Sequence, residues 1–156
     1  MQVCTCILGV DKQYKIMNAR ELELHEYRID FSKMPCVYWS NSTKISYLQR
    51  RIIVWSIMYY EHNESCASDL VYDAVSYQLV ELQKQASKEE FEKSTYYYAM
   101  HNFDGSTGFD IPSRLTEHDR QYLTHIANVI YNVWARNTKQ KKRRRTSNDN
   151  FKRPTK

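Results

Sequence analysis

The chain has 156 residues, 42% apolar and 26% charged, enough for one domain of the usual size, about 100–150 residues. No run of roughly 18 uncharged apolar residues occurs and no basic-then-apolar leader opens the chain, so neither a bilayer span nor a secretory signal is expected. The net charge of +5 is unevenly divided: residues 139–156 hold nine Lys/Arg and one acid, a net +8, which leaves −3 for the first 138 residues.

Residues 1–41 read as a β-like segment. Gln2–Val10, Tyr14–Met17, His25–Phe31 and Cys36–Trp39 mix β-branched, aromatic and polar residues with partial alternation, the pattern of a small antiparallel ribbon. Ala19–His25 suits a helical turn equally. Cys4, Cys6, Cys36 and Cys66 form no Cys-x-x-Cys pair and no zinc-type spacing, so they read as free thiols in a reducing, cytoplasmic setting.

Residues 42–138 read as a helical domain. Ser42 or Thr43 can cap a helix to about Tyr60 with a stripe of Ile45, Leu48, Ile52, Trp55 and Tyr59. Ser68 can cap a second helix to about Gln85, with Val71, Val75, Leu79 and Leu82 as its buried positions. Ser87-Lys88-Glu89-Glu90 has the capping-box form and predicts a third, short helix carrying the Tyr96–Tyr98 run. Phe103–Pro112 is a Gly-bearing loop. Thr116 with Asp119 opens a fourth helix through about Arg136, with Tyr122, Leu123, Ile126, Val129, Ile130, Val133 and Trp134 as its stripe. Residues 139–156 cannot bury enough apolar surface to offset the entropy of ordering and are expected to be disordered. The fold class is therefore mainly α with a small N-terminal β element (α+β).

The informative segment runs from Tyr59 to Asp73. With about 100° per residue, Tyr72 lies near −60° and Asp73 near +40° of Asp69, so the three share one face, expected to point away from the apolar stripe. Tyr59 and Tyr60 end the preceding helix, and a short connection makes the two helices antiparallel neighbours. Phenol rings offer stacking faces that favour a cationic ring, and carboxylates accept from sugar hydroxyls or an amide N–H. A flat, cationic, hydroxylated ligand such as nicotinamide mononucleotide (NMN) fits each requirement.

The segment resembles the N-terminal helical module of bacterial NAD-dependent DNA ligases, which grips the NMN half of NAD. That family carries an aromatic pair, a spacer, then Ser/Pro-Asp-x-x-Tyr-Asp and a Leu-x-x-Leu. Here Tyr59-Tyr60 precedes Ser68-Asp69-Leu70-Val71-Tyr72-Asp73, and Ala74 through Leu82 continues in register. The resemblance covers roughly Ile45 to Gln85 and implies an antiparallel helix pair in which Tyr59, Tyr60, Asp69, Tyr72 and Asp73 contact the nicotinamide ring, ribose and phosphate of NAD or NMN. Lone copies of the module resemble reading frames of phages and mobile elements. This implies a cytoplasmic protein, in the host cell if phage-encoded, that sequesters or senses the nucleotide.

The departures bear on activity. The ligase nucleophile sits in a Lys-x-Asp-Gly motif, whereas the nearest string here, Asn102-Phe103-Asp104-Gly105, begins with Asn. The loop before Ser68 lacks the family's proline. The chain is too short for the adenylation, oligonucleotide-binding, zinc and helix-hairpin-helix parts of a ligase, so a non-catalytic binding protein is expected. A different class also fits: an interaction protein of anti-CRISPR or anti-defence type, or a nucleic-acid binder using Lys141, Lys142, Arg143, Arg144 and Arg145. A third option supplies the module in trans to a ligase core. His62, His101, His118 and His125 read as surface or packing residues rather than metal ligands, and Asp104 and Asp110 as parts of a polar turn.

Overall fold

The computed structural model describes residues 24–35 and 38–151, with side chains to Thr138. A 3-10 turn at Phe31–Lys33 leads into α1 (Asn41–His62), α2 (Asp69–Gln85), the short α3 (Lys88–Glu92) and α4 (Tyr97–Met100), a second 3-10 turn at Ile111–Arg114, and α5 (Glu117–Phe151). No helix among the described residues is long and apolar enough to cross a membrane.

α1 is the centre. Its sequence is apolar on more than one side, so it fits only where several elements cover it. Ile45, Leu48, Ile52, Ile53, Ile57 and Met58 are fully buried, and α2 and α5 both pack on it. Full burial of each such side chain contributes about 1.5–3 kcal/mol. The expected stripe holds for Ile45, Leu48 and Ile52, while Tyr59 leaves it and is 55% exposed. On α2 the buried residues are Ala74, Val75, Ser76 and Leu79, with Val71 and Leu82 only half-buried.

Polar groups fix how the shorter elements dock. Gln49, fully buried in α1, donates to Ser94 Oγ at 3.2 Å and accepts from the Tyr96 N–H at 3.3 Å. Ser46 Oγ accepts from the Thr95 N–H at 2.9 Å. The capping box of α3 forms as its sequence predicts: Ser87 Oγ accepts from the Glu90 N–H at 3.2 Å and Glu90 accepts from the Ser87 N–H at 2.9 Å. The tyrosine run sits on α4, not α3, with Tyr96 buried and Tyr98 exposed.

Among the described residues the N-terminal segment contains no strand. Residues 24–26 are helical, and the stretch expected as strand over His25–Phe31 instead lies along α2. Arg28 pairs with Glu81 through two hydrogen bonds of 2.6 and 3.0 Å, and the Ile29 backbone exchanges hydrogen bonds with the Gln78 amide at 2.9 and 2.8 Å. A helix side chain thus supplies the pairing that a second strand would have given. The expected strands at Gln2–Val10 and Tyr14–Met17, and Cys4, Cys6 and Cys36, lie outside the described residues.

α5 runs beyond its expected end at Arg136 to Phe151, through the first part of the segment expected to lack structure. Its buried residues are Leu123 and Ala127; Tyr122, Val129, Ile130 and Val133, expected on its buried stripe, are 39–52% exposed. The backbone beyond Ala127 continues as helix for about 36 Å at 1.5 Å per residue. Lys and Arg are strong helix formers, and no Gly or Pro interrupts the chain between Pro112 and Pro154.

Candidate functional site

Local sequence sets the approach of the two helices. Asn63 adopts a left-handed conformation, φ 51°, which Asn tolerates better than most residues, and stops α1. Five residues later Ser68 caps α2, its hydroxyl accepting from the Val71 N–H at 3.4 Å. The chain returns beside the end of α1, with the Tyr72 ring 6.3 Å from the Trp55 ring. The two helices expected around Tyr59–Asp73 are present and pack on each other.

The five expected binding residues are not disposed as one open face. Tyr72 shares the inner side of α2 with Val75, Ser76 and Leu79, at helical steps of three and four, and is packed against the core. It therefore points toward the apolar stripe, not away from it. Asp69 stays exposed and Asp73 is half-buried beside Tyr72. Tyr59 and Tyr60 meet edge to face at 5.0 Å, 55% and 42% exposed. Tyr60 and Asp73 are both near enough to Tyr72 to raise its pKa by their charge.

The hollow between these helices is filled by the loop after α4. Tyr60 OH meets Thr107 Oγ1 at 3.1 Å, and the Phe109 ring stands edge-on to Tyr60 at 5.2 Å. Gly108 lies directly on Ser56 and Tyr72: a Cβ there would fall 2.1 Å from Ser56 Oγ and 2.7 Å from Tyr72 OH. Only glycine permits that approach. Gly105, at φ 93°, makes the turn that brings the loop against Val80 and Tyr77. Asp104 holds the turn through Ser106, whose hydroxyl and N–H, the latter at 2.9 Å, keep its carboxyl below the ordinary range.

Ser56 Oγ and Tyr72 OH lie under Gly108, and Ser76 Oγ lies beside Tyr72. Ser56 Oγ, Tyr72 OH and Ser76 Oγ are buried and none makes a hydrogen bond of normal geometry. Burial holds the Tyr72 phenol above its ordinary pKa of 10.0, and the two serine hydroxyls draw it partly back. Ser56 and Ser76 are 2% and 0% exposed, and buried polar groups without partners are uncommon. Tyr59, Tyr60 and Phe109, 69% exposed, make a ring cluster at the rim.

The two sequence stretches that frame the site are acidic. Residues 59–73 contain Glu61, Glu64, Asp69 and Asp73, residues 102–110 contain Asp104 and Asp110, and neither stretch has a Lys or Arg. Arg120 approaches Glu61 at 4.0 Å and Arg114 pairs with Asp110. An open polar groove of about 370 Å³ adjoins Glu61 along α5, lined by Glu117, Arg120, Thr124 and Asn128. His62 stacks on Tyr131 at 4.7 Å, while His118 is exposed. Among the described residues no group of three His, Cys, Asp or Glu is arranged to hold a metal ion. The free Cys66 thiol is pushed above 9.0 by burial and by Glu64, which disfavours the thiolate.

The sequence reading left Ser56 and Ser76 out of the site and took the Phe103–Pro112 loop for a polar turn, so it did not bring Thr107, Gly108 and Phe109 onto the helix pair. The signal for the last three was present: the chain has 3 glycines, and two of them fall in one loop between helices. The basic run Lys141–Arg145 lies on the helical backbone of α5, beyond the last core residue. No protein-family model, curated protein or solved structure matches the chain.

Proposed function

We propose that the chain is a non-catalytic binding protein for a nicotinamide nucleotide, NMN or NAD, held at the junction of α1, α2 and the 103–110 loop. The observation that carries this reading is the gathering of exposed Tyr59, Tyr60 and Phe109 beside the acid-bearing start of α2, in a stretch without a cation. Aromatic faces next to carboxylates attract a pyridinium ring from both directions. Asp69 and Asp73 accept from ribose hydroxyls or the carboxamide, and Tyr60 and Phe109 flank the ring.

Entry displaces the loop from Tyr72. Phe103 and Ile111, buried in the core, hold the two ends of the loop, while its tip meets α1 through one hydroxyl–hydroxyl contact of Thr107 and one edge-on contact of the mostly exposed Phe109, so lifting the tip alone exposes little apolar surface. Calorimetric titration with NMN and NAD tests the reading. Saturable binding, weakened at least tenfold in Asp69→Ala/Asp73→Ala, is expected. Absence of saturation at millimolar ligand, or binding unchanged in the double variant, overturns it.

A second reading draws on the course of α5. Its backbone carries Lys141, Lys142, Arg143, Arg144 and Arg145 away from the acidic body on a continuous helix, a form that suits contact with nucleic-acid phosphates. Fluorescence anisotropy with duplex DNA and RNA over a salt series tests it.

A further inference from the structure

We infer that α5 binds a second copy of this chain: its outer apolar stripe packs against the same stripe of the other copy, antiparallel, about a two-fold axis. The inference is independent of the nucleotide reading. α5 has two apolar faces. One carries Leu123 and Ala127 and is buried in the core, where α5 packs on α1. The other lies about 110° round the helix and carries Tyr122, Ile126, Val129 and Val133. Tyr122, Val129 and Val133 are 50%, 49% and 52% exposed, Ile126 is half-buried, and Ile130 widens the stripe on the side toward the core. Single exposed apolar residues are ordinary, but a contiguous stripe over about three turns marks a contact surface.

Two observations choose the occupant. The first is spacing. The four residues step by four, three and four, the repeat with which one helix seats its side chains between those of another. That order reads the same from either end. Antiparallel copies therefore set Tyr122 of each against Val133 of the other, and Ile126 against Val129, as a two-fold axis requires. The second is charge. The same register continues one step further at each end, to Asp119 and Arg136, and sets the acid of each copy opposite the cation of the other. Asp119 accepts from Tyr98 and Thr116, and a carboxylate has room for a further donor; Arg136 is exposed. A parallel pair would set Asp119 on Asp119 and lay the helical backbones of residues 139–145, with six Lys/Arg in each copy, side by side. Antiparallel packing parts those runs and carries each past Glu117 and Asp119 at the start of the other copy's α5.

Sedimentation velocity of the full chain from about 1 to 300 µM tests this. The apolar seam is short, about 17 Å at 1.5 Å per residue, so a micromolar dimer is expected: one chain at the dilute end, two at the concentrated end, and nothing larger. Val129→Glu/Val133→Glu, at positions exposed in the single chain, abolishes the dimer over that range, with circular dichroism confirming the fold. Arg136→Asp sets like charges opposite each other and weakens association at least tenfold, whereas Arg136→Lys keeps it within about threefold. The Asp substitution also lowers the net charge of +5 by two, which eases general repulsion between copies, so weaker association reports loss of the Asp119–Arg136 pair. A chain monomeric at every concentration overturns the inference and leaves the stripe to a partner of another sequence. An undiminished dimer in either the glutamate or the Arg136→Asp variant also overturns it, and Arg136→Asp decides alone if the two glutamates unfold the chain.

Discussion

At the scale of single residues, Gly108 is the tightest constraint. A Cβ at this position meets Ser56 Oγ and Tyr72 OH, one on a fully packed helix and one on a rigid ring. Overpacking of this kind typically costs about 1–3 kcal/mol. Gly108→Ala should therefore lower stability by about that amount in urea denaturation, and Ser56→Ala in the same chain should recover part of it. No loss in Gly108→Ala would show that the loop does not rest on Tyr72. Tyr72 itself gives a pH signature. Its folded pKa lies above 10.0 because burial favours the neutral phenol. Its contribution to stability is whole below the unfolded value of about 10 and is lost as pH rises through the folded value. Stability should fall above about pH 10. Tyr72→Phe should shrink that fall without abolishing it, because Tyr96 and Tyr98 are raised as well. An unchanged alkaline slope in Tyr72→Phe would place the phenol in solvent.

At the scale of elements, the caps Ser68, Ser87 and Thr116 were legible, while α1 is capped by Ser40 and not by the expected Ser42 or Thr43. Ser87 with Glu90 three residues on predicts the start of α3, and both reciprocal hydrogen bonds form. Glu90 also accepts from Asn41 at 3.1 Å, so the short helix is tied to the beginning of α1. Ser87→Ala should cost about 1 kcal/mol by urea denaturation, and a larger loss than Ser68→Ala would reveal that tie. The stripes were less legible. Periodicity identifies which residues lie together, but not how many neighbours a helix has. α1 has α2 and α5 on it, so Ile53, Val54 and Ile57 are buried along with the stripe that was read. Tyr72 was placed on the wrong side for the same reason: Asp69 and Asp73 drew it to the polar face, while its steps to Val75, Ser76 and Leu79 put it inside. The loop could be read from its two glycines, but where it docks could not. Its contacts with Ser56 and Tyr60 span some fifty positions of sequence, and no local pattern encodes a contact of that range.

At the scale of the whole molecule, charge and packing both change along α5. Among the described side chains Ala127 is its last buried residue and Tyr131, one turn on, still packs against the core, and the surplus of cations begins at Lys139. Composition alone predicts disorder there, because the segment has nothing to bury. Helix propensity and the lack of a breaker act in the other direction, and the backbone stays helical to Phe151. A chain ending at Thr138 should therefore keep its melting temperature within about 2 °C, a shift that corresponds to about 0.5–1 kcal/mol for a chain of this size. It should also carry −3 instead of +5, the charge of residues 139–156 having been removed. If the five cations Lys141–Arg145 each meet a phosphate, log affinity of the full chain for duplex DNA should fall with log salt at a slope of about −4 to −5. The shortened chain should lose that binding while still taking up the nicotinamide ligand, because the two sites share no residue. Binding to DNA that survives the truncation, or that is indifferent to salt, would assign the basic helix another partner.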